Sequence, residues 1–360
     1  MTMEYVPKII RKTSPYLRRP QATVSRMMRD VIIALIPVTL FAIYSFGWSA
    51  VFVLLASVLS MMGTEYIYYQ IIDKLNGEGF KWKNNSFTLY NFSAFTSGLI
   101  YGLTLPDDTA IWVVVLNGAL GIFLAKLIFG GLGQNIFNPA AVARVLLVVN
   151  YAANSALVAY GQHVDAVAGA TALQLTATDI FGRGVLDTYP LMDLFTGIGI
   201  PGSLGEVSTL LIVVGAIYLA FRSSFEVRIP ITYILTVFGL ASAVAIFKGL
   251  GIWYPLYHVF SGGLLFGAVF MATDPITSPI TKPGRVYFGF GLGLITFVIR
   301  LFGAYPEGVV FSILILNMFV PTFDYFKWTN PKFSNKQYYI FAGVVILSIV
   351  VVLVGANYVG

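Results

Sequence analysis

Cysteine is absent from all 360 residues, so the chain forms no disulfide and holds neither zinc nor an iron–sulfur cluster through thiolates of its own. Charge is scarce too: Asp, Glu, Lys and Arg make up 11% of positions, against 58% hydrophobic residues. With a mean hydropathy of +0.81, that balance excludes an ordinary soluble domain and reads as an integral membrane protein. Histidine occurs only at 163 and 258. One bis-histidine haem would need both, and the loop position of His163 argues against it. A net charge of +6 invites a nucleic-acid reading, but the basic residues fall between apolar runs and form no aromatic-laced patch, so no nucleic-acid partner is expected.

The first 29 residues carry seven basic side chains and no apolar run. Residues 31–46 therefore read as a retained first helix, not a cleaved signal peptide. Further apolar segments lie at about 48–70, 91–105, 109–129, 139–150, 207–221, 229–247, 258–272, 286–303, 308–321 and 339–358. A straight crossing needs roughly 20 apolar residues, so the runs at 91–105, 139–150 and 258–272 are expected to be half-helices or broken ones. With the N-terminus in the cytoplasm, eighteen basic residues fall inside, Lys126 among them, and only Arg183, Lys248 and Arg300 fall outside. That asymmetry follows the positive-inside rule and places residues 151–206 on the outer face.

Two stretches repeat. "TSGLIYGLTL" (96–105) lies on "SGGLLFGAVF" (261–270), and "NPAAVARVLLVVN" (138–150) on "YPEGVVFSILILN" (305–317), at offsets of 165 and 167 residues. Each unit holds five crossings, an odd number, so the copies run oppositely through the bilayer. The expected fold is an all-α polytopic membrane protein of about 10–11 transmembrane segments, built as two inverted five-helix repeats with short or broken half-helices. The expected organisation is a basic cytoplasmic segment (1–29), a first repeat (30–150), an extracytoplasmic loop (151–206), a second repeat (207–321), a cytoplasmic loop (322–338) and a C-terminal transmembrane helix (339–360).

Two junctions stand out where segments end. In "GGLGQNIFNPA" (130–140) glycines and Pro139 break the helix, and Asn135 and Asn138 offer amide donors and acceptors. In "MATDPITSPITKP" (271–283) Asp274 sits at a segment end among three prolines. The plain alternative is that Asn and Asp cap helix ends. Glu65, within a span beside Gly63 and Tyr66, is with Asp274 a candidate for an ion path. Asp30, Arg144 and Arg300 lie near span ends, where snorkelling to headgroups is the simple expectation. "NPA" suggests an aquaporin pore, but the second copy reads Tyr305-Pro306-Glu307. "GFGLG" (289–293) follows no strand and reads as glycine-mediated helix packing, not a dinucleotide loop.

One polar stretch remains: "VDAVAGATALQLT" (164–176), in the outer loop. Taken in order with "GGLGQNIFNPA", "FMATDPITSP" and "YPEG" (305–308), it resembles the RnfD/NqrB family over roughly residues 25–325. The length and the "YPEG" segment are more similar to the D subunit of the Rnf ferredoxin:NAD oxidoreductase than to the B subunit of the sodium-pumping NADH:quinone oxidoreductase. The resemblance implies a urea-channel-like architecture in a bacterial inner membrane. It implies FMN joined through its phosphate to Thr171 by a dedicated flavin transferase, with Asp165, Gly169 and Ala170 completing the recognition pattern. Ala168 stands where the family commonly has Ser or Thr. It also implies a non-covalent riboflavin, for which the Asn135/Asn138 junction is the expected cradle, and partners among the other Rnf subunits, including a second covalent-FMN subunit. Coupling of redox chemistry to Na⁺ or H⁺ translocation follows from the same resemblance. A urea- or ammonium-type channel is the rival from another class, and it has no use for a flavin acceptor loop.

Overall fold

The computed structural model describes residues 24–75, 91–151, 181, 189–200, 202–302, 308–325 and 335–359, and among these every regular element is a helix. In a hydrocarbon solvent each backbone N–H and C=O must be satisfied within the chain, which a helix does along its own length. The first half comprises α1 (Val24–Phe46), α2 (Trp48–Leu75), α3 (Ser93–Leu103), α4 (Ile111–Ile122), which continues into a π turn over Phe123–Leu127, and α5 (Pro139–Tyr151). A short helix, α6 (Leu191–Thr196), precedes the second half. That half contains α7 (Thr209–Arg222), α8 (Arg228–Lys248), α9 (Trp253–Phe260), α10 (Leu264–Phe266) with a π turn over Gly267–Met271, α11 (Lys282–Phe302) and α12 (Gly308–Phe323); α13 (Asn335–Val359) follows.

Among the described residues five helices are long and apolar enough to cross a membrane, or six if the pair Trp253–Phe260 and Leu264–Met271 is one broken span. That pair is bent by 58°, so the short run at 258–272 is indeed broken. Gly262 and Gly263 make the break, at φ 67° and 65°, where an L side chain is strained and where a Cβ on Gly263 would run into the Glu206 carboxylate. Large apolar side chains such as Leu40, Leu59, Phe221 and Ile246 face outward, the pattern of a surface solvated by lipid.

Each half packs in the same order. In the first, α2 meets α3 and α4, and α4 meets α5; in the second, α8 meets α9 and α11, and α11 meets α12. The halves join where α1 lies on α7 and α5 on α12. Close approach depends on small residues. A Cβ on Gly121 of α4 would lie 2.5 Å from the Ala143 Cβ of α5. On α11, Gly289 faces the Ile229 carbonyl and Gly293 faces Thr236 of α8, so "GFGLG" is a packing stripe, as expected. The residue pairs matched between the halves, however, occupy unlike environments. Gly98 is helical against the Val58 backbone whereas Gly263 forms the break, and Asn150 is exposed whereas Asn317 is buried.

The charged residues at the span ends do not snorkel. Asp30, Arg144 and Arg300 are all buried. Asp30 of α1 accepts hydrogen bonds from Arg222 (3.3 and 3.2 Å) and from Ser224 at the end of α7. Arg300 of α11 donates to the carbonyls of His258 (2.5 Å), Ser261 (3.1 Å) and Gly262 (3.0 Å), all at the break after α9. Partners inside the protein remove the reason to reach for headgroups. His258 is buried edge-on against Tyr254, with ring centroids 4.6 Å apart, and Phe297, at 5.5 Å; His163 lies outside the described residues.

Candidate functional site

The two junctions singled out in the sequence converge on one partly open cavity of about 40 Å³, room for a few water molecules. Asn135, Asn138 and Asp274 line it together, with Lys126 from the π turn after α4. Apolar wall is supplied by Met27 and Met28 of α1 and by Phe225 and Phe270 of the second half.

Local structure places each polar group. Pro139 opens α5, where its missing N–H costs nothing, and Asn138 sits just before it. Asn138 Oδ1 accepts from the N–H groups of Ala140 (3.0 Å) and Ala141 (3.4 Å), which is capping, the plainer of the two expectations. Its Nδ2 does something else: it donates to the Met271 carbonyl at 3.1 Å, in the opposite half. Asn317, with its amide turned so that both ends are satisfied, donates to the carbonyls of Thr277 (3.1 Å) and Ile313 (3.2 Å) and accepts from the Asn138 N–H (3.2 Å). The junctions are thereby tied across the interface between the halves. Asn135 makes a local turn, accepting from the Gly133 N–H at 3.3 Å and donating to the Phe137 carbonyl at 3.4 Å. Both bonds are long, so its amide is weakly held.

Asp274 caps no helix. It is half-buried and accepts from the Thr277 hydroxyl at 3.0 Å. α11 is capped by Thr281, whose Oγ1 accepts from the Gly284 N–H (3.2 Å), and Asp324 steadies that cap by accepting from the Thr281 hydroxyl (2.7 Å) and from the N–H groups of Ile280 (2.8 Å) and Thr281 (2.9 Å). Glu65 lies on α2, fully buried, and its partner is one that the sequence does not announce. Lys126 donates to Glu65 Oε2 and to Ser93 Oγ, each at 2.7 Å, and its side chain is only 2% exposed. Counting basic residues by side of the membrane groups Lys126 with the cytoplasmic set, and that count does not register burial: packing of the stem among α2, α3 and α4 brings the ammonium to a carboxylate. The one signal in the sequence is a lysine inside the apolar run 109–129, and a π turn of the kind that carries it often marks a functional position.

Thr171, Asp165, Gly169 and Ala170 lie outside the described residues. The described part of the same loop returns against α9, where Phe181 meets Tyr254 at 6.2 Å between ring centroids and Lys248 stands 5.0 Å over the Phe181 ring.

The family model described as "NQR2, RnfD, RnfE family" matches residues 10–333. Among curated proteins, the chain is 36% identical over 316 residues to the D subunit of the Na⁺-translocating ferredoxin:NAD⁺ oxidoreductase complex of Acetobacterium woodii, covering 87% of this chain and 92% of that one. It is also 36% identical over 338 residues to the D subunit of the proton-translocating ferredoxin:NAD⁺ oxidoreductase complex of Clostridium ljungdahlii, covering 90% and 96%. The B subunit of the Na⁺-translocating NADH-quinone reductase of Chromohalobacter salexigens is 37% identical over 246 residues, covering 66% of this chain and 58% of that one.

Proposed function

The chain belongs to the NQR2, RnfD, RnfE family, and from that premise we infer that it is a multi-pass membrane subunit of an Rnf-type complex, carrying flavin and serving ion-coupled electron transfer. The observation that carries this reading is the cavity where the Asn135/Asn138 and Asp274 junctions meet across the two halves. The near-full-length kinship to D subunits, against partial coverage of the B subunit, favours the Rnf type. Relatives of the sodium and proton kinds are equally similar, so the translocated ion is a monovalent cation of either kind.

In this reading Thr171 carries FMN as a phosphoester on the extracytoplasmic side, installed by a flavin transferase that recognises Asp165, Gly169 and Ala170. The small neighbours leave room for the phosphate, and the hydroxyl stays within reach of the transferase. A bound isoalloxazine supplies one- or two-electron chemistry that no side chain here has. Riboflavin is held at the Asn135/Asn138 junction, where apolar walls suit a flat ring and the Asn135 amide can exchange its weak local bonds for the ring's edge, and the cavity of about 40 Å³ widens to admit it. Asn138, already committed to the α5 cap and to Met271, frames that site more than it contacts the ligand. The N-terminus lies in the cytoplasm, the host membrane is the bacterial inner membrane, and the other Rnf subunits, one with its own covalent FMN, complete the electron route. The two halves, read as inverted repeats, give alternating access to the ion.

Thr171→Ala is expected to remove one FMN from the intact mass and to abolish in-gel flavin fluorescence of this chain while the protein still inserts; a retained adduct would overturn the assignment. Asn135→Ala/Asn138→Ala is expected to lower riboflavin per chain in the purified complex well below one, measured by extraction and chromatography. Stoichiometric riboflavin in that variant would exclude the cavity as its site.

A further inference from the structure

Around the cavity three charged side chains form a set that flavin binding does not use. Lys126 is held by Glu65 Oε2 and Ser93 Oγ, both at 2.7 Å. The second Glu65 oxygen, Oε1, is buried and has no hydrogen-bond partner among the described residues. Lys126 and Asp274 line the same cavity, and no other charged residue among those described does. Two carboxylates against one ammonium leave one negative charge over. An unpaired charge sheltered from water is costly, so the set has room for one more positive charge and only one. The free Glu65 oxygen and the half-buried Asp274 are the two places for it.

Lysine suits an exchange of partners, since it is a point charge with three donors on a flexible four-carbon stem. We propose that Lys126 and one monovalent cation share the carboxylates of Glu65 and Asp274 and exchange partners as the ion passes. With Lys126 on Glu65, as seen here, the cation from the cavity sits on Asp274. When the ammonium moves to Asp274, the cation takes its place on Glu65, deeper in the protein. Each carboxylate keeps one positive partner throughout, so neither arrangement buries a net charge. The cation is Na⁺ or H⁺; no bond other than that to a proton is made or broken. The inference rests on the reading of the chain as part of an ion-translocating complex.

The test uses the purified, intact complex and two variants that differ only in the ammonium: Glu65→Gln and Glu65→Gln/Lys126→Met. Binding is read by equilibrium dialysis with radioactive sodium and, in sodium-free buffer, by proton uptake per chain. In Glu65→Gln the ammonium has only Asp274 to pair with, and cation affinity is expected to fall at least about tenfold below wild type, a difference of roughly 1.4 kcal/mol. In the double variant no ammonium competes, the buried pair is removed as a unit, and affinity is expected to return to the wild-type value or exceed it. Equal affinity in the two Glu65 variants would overturn the role of Lys126 while leaving ion binding intact. Absence of sodium or proton binding in both wild type and the double variant would overturn the ion reading of the chain itself. The response to sodium against protons identifies which cation the set takes.

Discussion

Replacing Arg300 with methionine is expected to destabilise the protein by about 3 kcal/mol or more, among the larger effects open to a single substitution. Methionine preserves most of the stem's length and apolar contact, so the loss isolates the guanidinium. That group donates to three carbonyls at the break after α9, those of His258, Ser261 and Gly262. The helix stops there because two glycines turn the chain, and the freed carbonyls have no following turn to accept from. Hydrogen bonds from a charged donor contribute about 1.5–3 kcal/mol each, and a buried acceptor left without a donor costs about 1–3 kcal/mol. The three contributions are coupled and do not simply add. Unfolding in detergent, followed thermally or by denaturant titration, reads the effect. Arg300→Lys is expected to recover only part of it, because one ammonium cannot reproduce the spread of a guanidinium. A change below about 1 kcal/mol for the methionine variant would mean that the broken helix is held by packing alone.

Gly121→Leu is the second large effect. An ideal Cβ at position 121 would lie 2.5 Å from the Ala143 Cβ, 2.7 Å from its Cα and 2.8 Å from its N. Two of those atoms are backbone and cannot turn away, so α4 and α5 must separate. Overpacking in a well-filled core typically costs about 1–3 kcal/mol, and rigid backbone on the far side puts this site at or above about 3 kcal/mol. Because α5 begins at the Asn138 cap, the displacement also reaches the cavity. Size-exclusion of the solubilised protein, with its unfolding midpoint, is expected to show a sharp loss of the monodisperse form. Gly239→Ala on α8, where nothing lies within 4 Å of the new Cβ, is the control and is expected to be neutral or to gain up to about 1 kcal/mol from helix propensity. If both substitutions behave alike, the close approach of α4 and α5 is not what sets stability there.

What the sequence made legible was mostly what depends on local chemistry. The apolar runs marked the helices, Asn138 before Pro139 marked a helix start, and the spacing of Gly289 and Gly293 marked a face packed against a neighbour. The shortness of the run at 258–272 pointed to a broken span. Partners far apart in the chain were not legible. Asp30 finds Arg222 and Ser224 nearly two hundred residues away, and Lys126 finds Glu65 only because α2 and α4 lie side by side. A count of lysines by side of the membrane treats Lys126 like any other, since the rule concerns orientation and not burial. The π turns were invisible for a related reason: an inserted residue in a helix is stabilised by tertiary contacts and leaves no periodic trace. The flavin acceptor was legible only through resemblance, because Gly-Ala-Thr is too common a tripeptide to speak for itself.

The bond between Asp30 and the end of α7 has a mechanical meaning. It fastens the first helix of one half to the first helix of the other, beside Met27, Met28, Ser224 and Phe225 of the cavity lining. A joint pinned at one place acts as a fulcrum: were one half to rotate on the other, the surroundings of Asp30 would move little and the far end of the interface most, by leverage proportional to the distance from Asp30.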